Sequence, residues 1–164
     1  MIRKGYLEQQ IEGLAQAIAR LMGIGAHDRD AALHKIEIAG RDLAGLNIDT
    51  LLTLTDDSVL AMFTGGDKSR TAGNAYVCAR LLTERAERDP SVARKARRKA
   101  LLLFAEALHL ERTLHDAQIL GQFAALLKSL APTDFTPLLA QRLALARVAI
   151  AEVQADRAEY APGT

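Results

Sequence analysis

Glu106 and His109 have the spacing that comes closest to a metal-binding or catalytic motif in this chain of 164 residues. Residues three apart share one face of a helix, so the carboxylate and the imidazole would project together, as in di-iron helical bundles. Such a centre needs a second Glu-x-x-His pair, and the sequence contains none. We therefore predict a polar surface pair, and we expect no metal and no other cofactor.

The segment Gly65–Ser69 has the glycines, lysine and serine of a phosphate-binding loop, but not in the required order. The Walker motif places glycine directly before lysine and follows a strand. Here Asp67 stands between them, and its carboxylate would repel a phosphate. This segment is predicted to be the loop that starts a helix.

Cys78 is the only cysteine and has small apolar neighbours, so it cannot form an internal disulfide and is predicted to be a buried hydrophobic residue. No Ser/His/Asp or Cys/His arrangement is readable along the chain. We therefore expect that the protein is not an enzyme.

A run of basic residues between positions 85 and 99 is the main charge anomaly in a chain whose formal net charge is +1. The run comprises Arg85, Arg88, Arg94, Lys95, Arg97, Arg98 and Lys99. In a helix, Arg94, Arg97 and Arg98 share a face, and Lys95 and Lys99 form the adjoining strip. These five residues are the predicted partner-binding residues of an exposed basic surface.

Two interpretations of this basic run remain open. Cations near a helix N-terminus oppose the helix dipole at a cost of up to about 1 kcal/mol each, which favours an anionic partner. The partner would be an acidic protein or, less favoured, the phosphates of a nucleic acid, since no aromatic side chain interleaves the run for base stacking. Alternatively, the run is a solvated face that pairs with nearby acids such as Glu84.

The first helix is predicted to carry a heptad-like apolar seam that ends at Gly23. The seam residues follow a 4-3-4-3 spacing and are Leu7, Ile11, Leu14, Ile18 and Leu21. Because this seam needs a partner helix, and Ala15 and Met22 widen it, we predict that it mediates self-association.

The rest of the chain is predicted to be helical, with no period-two alternation that would indicate a sheet. Capping residues and prolines divide it into further helices at about 28–45, 55–63, 67–88, 90–112, 116–130 and 136–160. In the second of the long helices, Gly40 would permit close approach of another backbone. The predicted fold is all-α, with about six long helices in antiparallel hairpins, forming either a tetratricopeptide-like or an irregular bundle. We predict one domain over residues 1–161 and a frayed tail at 162–164.

Three segments of the sequence together carry a resemblance to a known family. They are Tyr6-Leu7-x-x-Gln10-Ile11-x-x-Leu14-Ala15-x-Ala17-Ile18-Ala19-Arg20-Leu21-Met22-Gly23, then Leu43-Ala44-Gly45-Leu46, and Leu102-Leu103-Phe104-Ala105-Glu106-Ala107-Leu108. Over about residues 6–110 the chain resembles a bacterial family of all-helical proteins of unknown function that is related to tetratricopeptide-like hairpins. The resemblance implies the helical fold and implies no activity.

The composition favours a folded helical domain, because 49% of the residues are hydrophobic and 25% are charged. No stretch reaches the length of a membrane span and no signal peptide is recognisable at the start, so we expect a cytoplasmic protein without membrane insertion. The expected function is a non-catalytic protein–protein interaction or scaffold module that forms a homodimer. The alternative is an electrostatic adaptor that uses the stretch 85–99.

Overall fold

The computed structural model describes residues 5–161 and confirms the all-α class, with no strand in that range. The predicted frayed tail at 162–164 lies outside the described residues. The α-helices are α1 (Tyr6–Met22), α2 (Arg29–Ala44), α3 (Ile48–Thr53), α4 (Asp56–Ala61), α5 (Lys68–Arg88), α6 (Ala93–Leu110), α7 (Ala117–Lys128) and α8 (Pro137–Glu159). Two short 3-10 helices, Arg112–Leu114 and Pro132–Asp134, flank α7.

Local capping explains where most of these helices begin. At five helix starts, the side chain of the capping residue accepts a hydrogen bond from the backbone N–H three residues further on, which satisfies a donor that the helix itself leaves free. The five capping residues are Asp28, Thr55, Asp67, Asp116 and Thr136. All five helix starts were predicted from the sequence within one residue.

The start of α6 differs from the prediction, which placed Pro90 in the first turn of that helix. The helix begins at Ala93 instead. Asp89 explains the delay, because its side chain accepts hydrogen bonds from the backbone N–H and the hydroxyl of Ser91 and so closes a separate turn ahead of the helix.

The hairpin of α5 and α6 forms the centre of the protein. Every residue from 100 to 108 in α6 is buried, and Phe104 contacts the rings of Tyr76 and Phe123 with centroids 5.4 Å apart in both pairs. Helices α1 and α2 pack on α5, whereas α7 and α8 pack on α6. Most of the buried hydrophobic residues form one continuous core.

The end of α2 confirms the close backbone approach that was predicted at Gly40. A Cβ atom on this residue would lie 2.7 Å from the carbonyl oxygen of Leu46, and Gly45 turns the chain with a positive φ of 68°. The six long helices agree with the prediction, and α1 packs on α2 and α5 on α6 as sequential pairs, whereas α7 and α8 pack mainly on α6. The tetratricopeptide-like detail stays a prediction.

Candidate interaction surfaces

The apolar seam of α1 packs largely inside the protein. Leu14 and Leu21 are buried in the core at 2% and 1% exposure, so they cannot contact a second copy as the sequence predicted. Leu7, Ile11 and Ile18 are half-buried and lie against the edge of the core. The reason is that α2 and α5 already act as the partner helices of this seam.

An open groove lies between α1 and α7, and residues of α5 form its base. We define the α1–α7 groove by its main lining residues, Ile11, Ile18, Met22, Tyr76, Arg80 and Ile119. Its volume is about 300 Å³. Met22 is the most exposed of these side chains at 78%, so this groove presents apolar surface to solvent. The sequence seam predicted such a surface on α1 but did not indicate that α7 supplies the opposite wall.

Arg80 lines this groove without a partner of its own. Among residues 5–161 it makes no hydrogen bond and no ion pair, and its Nε atom is buried with nothing to donate to. The neighbouring polar groups have other partners: the Tyr76 hydroxyl donates to Gln122 over 2.8 Å, and Asp116 caps α7 by accepting from the N–H of Ile119. The phenol of Tyr76 is neutral near pH 7 and cannot balance the guanidinium, and burial raises its pKa further. The groove therefore combines apolar walls with one unpaired cation.

Helix α8 presents a second apolar surface on the side opposite to the core. Its buried side chains, Leu139, Leu143, Ala146 and Val153, lie on one face. We name the opposite side the α8 outer face, and its exposed residues are Ala144, Val148, Ala151, Glu152, Ala155 and Glu159. Val148 is 58% exposed at its centre. The sequence contains a signal for this face, because Ala144, Val148, Ala151 and Ala155 follow a 4-3-4 spacing.

Most residues of the basic stretch form ion pairs with acidic side chains, as expected if this stretch is a solvated face. Arg88 donates to Glu84 over 2.5 Å, and Arg94 pairs with Asp134. Arg98 Nε lies 3.5 Å from Asp56 Oδ2. Arg85 forms ion pairs with Asp49 and Asp89.

Lys95 and Arg97 are the members of the basic stretch that have no acidic partner within 4 Å in the part of the chain that the structure describes. Lys95 is exposed and Arg97 is half-buried. Of the five residues predicted to form the basic surface, only Lys95 and Arg97 therefore have no acidic partner in the described part of the chain. Arg94 and Arg98 form ion pairs within the protein.

Lys99 does not belong to that surface, because its side chain is only 1% exposed. Its Nζ atom donates to the carbonyl of Leu54 and lies 3.4 Å from Asp56 Oδ1. Asp56 also accepts from the Thr136 hydroxyl at the start of α8. Burial lowers the pKa of Lys99. Lys99 thus connects the loop between α3 and α4 to α6. No local feature of the sequence distinguishes this lysine from its exposed neighbours.

Glu106 and His109 do not converge on a common site. Glu106 is 6% exposed and accepts a hydrogen bond from Arg142 Nη1 at 3.2 Å, whereas His109 is exposed. Throughout residues 5–161, no group of three or more His, Cys, Asp or Glu side chains is arranged to hold a metal ion. The carboxylate of this pair serves the packing of α6 against α8.

The other two candidate motifs have structural roles. Asp67 caps α5 by accepting from the N–H of Arg70, and Gly65 and Gly66 turn the preceding loop with φ angles of 83° and 72°. This confirms the predicted helix start. Cys78 is completely buried, and burial raises the pKa of its thiol to about 12, which confirms the interpretation as a core residue.

Comparisons of this chain with protein-family models, curated proteins and solved structures gave no match. The resemblance to a helical bacterial family therefore stays a prediction. Of the helices between residues 5 and 161, none is both long and apolar enough to cross a membrane.

Proposed function

We propose that this protein is a non-catalytic helical interaction module that assembles into a homodimer. The observation that carries the proposal is the open α1–α7 groove, in which the side chains of Ile11, Ile18 and Met22 remain accessible to solvent. An exposed apolar groove of this kind is typical of a surface that a further helix covers.

A second copy of the chain is the occupant that this proposal favours. Homo-oligomers are usually closed two-fold dimers, in which each subunit contributes the same surfaces. The seam residues that remain at the edge of the groove, Ile11 and Ile18, are the part of the predicted self-association surface that a second copy can reach.

The electrostatic adaptor has less support, because the acids described above already neutralise most of the basic stretch. An adaptor would have to rely on Lys95 and Arg97, and paired or solvated surface charges bind weakly at physiological salt. Salt-resistant association would favour the apolar groove, whereas salt-sensitive binding to an anionic partner would favour the adaptor.

Sedimentation equilibrium of the full chain over a range of concentrations tests the homodimer. We expect a dimer for the wild type, a monomer for Met22→Glu, and a dimer for Gln16→Glu, which adds the same charge to α1 outside the groove. Met22 is so exposed that its replacement should leave the fold intact, as circular dichroism would verify. A wild type that stays monomeric at every concentration would show that the proposal is wrong.

A further inference from the structure

We infer that the α8 outer face of one copy docks in the α1–α7 groove of the other, with Glu152 pairing with Arg80. This inference rests on the proposed homodimer and specifies which surfaces form it. The occupant of the groove is a second copy of the chain, because both the charge and the side-chain sizes of its α8 outer face suit the groove.

Arg80 is the unpaired charge in the groove. A guanidinium that is partly removed from water and has no partner loses hydration without compensation, so a structure that supplies a carboxylate is favoured. Within the described part of the chain, Asp116 is the acidic residue that lines the same groove, and its Oδ1 atom is engaged in capping α7. Since no acid in the described part of the chain forms an ion pair with Arg80, a carboxylate on the occupant would be its first direct partner.

The α8 outer face has both properties that such an occupant needs. Val148 supplies an apolar side chain at its centre, and Glu152 follows it one helical turn later, about 6 Å along the axis. Glu152 is exposed, and its carboxylate is 3.8 Å from the guanidinium of Arg112. Both side chains are 61% exposed, so this ion pair contributes little to stability. This carboxylate is free to exchange its partner.

Both surfaces also carry small side chains. Ala144, Ala151 and Ala155 surround Val148 with small side chains, so another helix can approach the α8 backbone closely. On the groove side, Ala15 and Ala19 of α1 are similarly small. Val148 is, among the described residues, the one large hydrophobic side chain more than half exposed that does not lie at a helix end.

Reciprocal docking gives a closed assembly. Each copy carries one groove and one α8 outer face, so a two-fold axis would create two equivalent contacts and leave neither surface uncovered. Each contact would contain one pair of Arg80 and Glu152.

Charge exchange tests this arrangement with sedimentation equilibrium. We expect Arg80→Glu and Glu152→Arg each to weaken dimerisation at least about tenfold, because each places like charges in both contacts. An equimolar mixture of these two variants should form a heterodimer of near wild-type affinity, since one contact is then reversed in charge and the other is wild type. Gln154→Arg, on the flank of α8, is the matched control and should leave the dimer unchanged.

The outcomes separate the inference from the proposed function. If the wild type is a monomer, both fail. If the wild type is a dimer that Met22→Glu disrupts but Arg80→Glu and Glu152→Arg do not, the groove is the interface and α8 is not its occupant.

The remaining outcomes also decide the inference. If both single variants are monomers and their mixture stays monomeric, the pairing of these two residues is wrong. Species that grow beyond a dimer would contradict the reciprocal arrangement. A folding defect in either single variant would show in thermal denaturation, and Val148→Glu then provides an independent disruption of the α8 outer face, expected to abolish the dimer.

Discussion

Arg142 on α8 donates a hydrogen bond from Nη1 to Oε2 of Glu106 on α6, over 3.2 Å. Glu106 is almost completely buried, whereas a quarter of the Arg142 side chain is exposed. The arginine therefore carries the counter-charge into the core, and it connects the last helix to the central one.

Removal of Arg142 should leave Glu106 buried without a counter-charge. We expect Arg142→Met to lower the free energy of unfolding by about 2–4 kcal/mol, measured by urea denaturation at neutral pH. The double variant Glu106→Gln/Arg142→Met should recover at least half of that loss, because no charge is then buried. Arg147→Met, an exposed position on the same helix, is the control and should change the stability by about 0.5 kcal/mol or less. Equal effects at the two arginines would contradict this role of the ion pair.

Lys99 and Lys95 form a matched pair of lysines on α6, one buried and one exposed. Lys99→Met removes the donor to the Leu54 carbonyl and a counter-charge of Asp56, so we expect a loss of about 1–3 kcal/mol. Lys95→Met should have almost no effect. Urea denaturation of both variants measures the difference.

The stability difference between the wild type and Lys99→Met should depend on pH. Because burial lowers the pKa of Lys99 in the folded protein, the unfolded chain binds more protons in the alkaline range below the ordinary lysine pKa of 10.5. Stability contributed by Lys99 therefore rises with pH through that range. The gap between wild type and Lys99→Met should widen as the pH approaches 10.5, and a gap that narrows would contradict the assignment.

Two helical glycines should respond in opposite directions to alanine. At Gly40 the added Cβ would lie 2.7 Å from the Leu46 carbonyl oxygen, so we expect Gly40→Ala to destabilise the protein by about 1–3 kcal/mol. At Gly121 an added Cβ would have no atom within 4 Å apart from those of its own helix backbone, so Gly121→Ala should stabilise α7 by about 0.5–1 kcal/mol. Thermal denaturation of the two variants measures both changes, and a stabilising Gly40→Ala would show that α2 does not end in this close contact.

Cys78 should be inert in the folded protein. Its pKa of about 12 and its complete burial keep the thiolate population negligible near pH 8, so we expect Ellman's reagent to react at least about a hundredfold faster in urea. Because the pKa is higher in the folded state than the ordinary 9.0, the stabilising contribution of the thiol is present below pH 9.0 and is lost as the pH rises towards 12. Rapid labelling of the native chain would contradict the burial.

The helix starts were predictable because capping is a local effect. Asp28, Asp67 and Thr136 each bind a backbone N–H three residues away, so the sequence around each position contains the whole signal. The buried role of Lys99 was not predictable, since its partner at Leu54 is 45 residues away and only the fold brings them together.

The candidate docking surfaces were predictable in part. The seam of α1 indicated the apolar character of Ile11 and Ile18, but not that α2 and α5 would cover Leu14 and Leu21. Arg80 had no sequence signal at all, because its isolation depends on the absence of a nearby acceptor in three dimensions.

Helix α6 is enclosed by its neighbours from residue 100 to 108, whereas beyond Val153 every described residue of α8 is exposed. Backbone amides in the enclosed segment can exchange their protons with solvent only when the whole protein unfolds. The last two turns of α8 can open and close without disturbing the core. The slowest amide exchange should therefore occur in α6 and the fastest helical exchange at the end of α8, although these two helices are in contact. Dimerisation through α8 would slow the amide exchange of α8 and leave that of α6 unchanged.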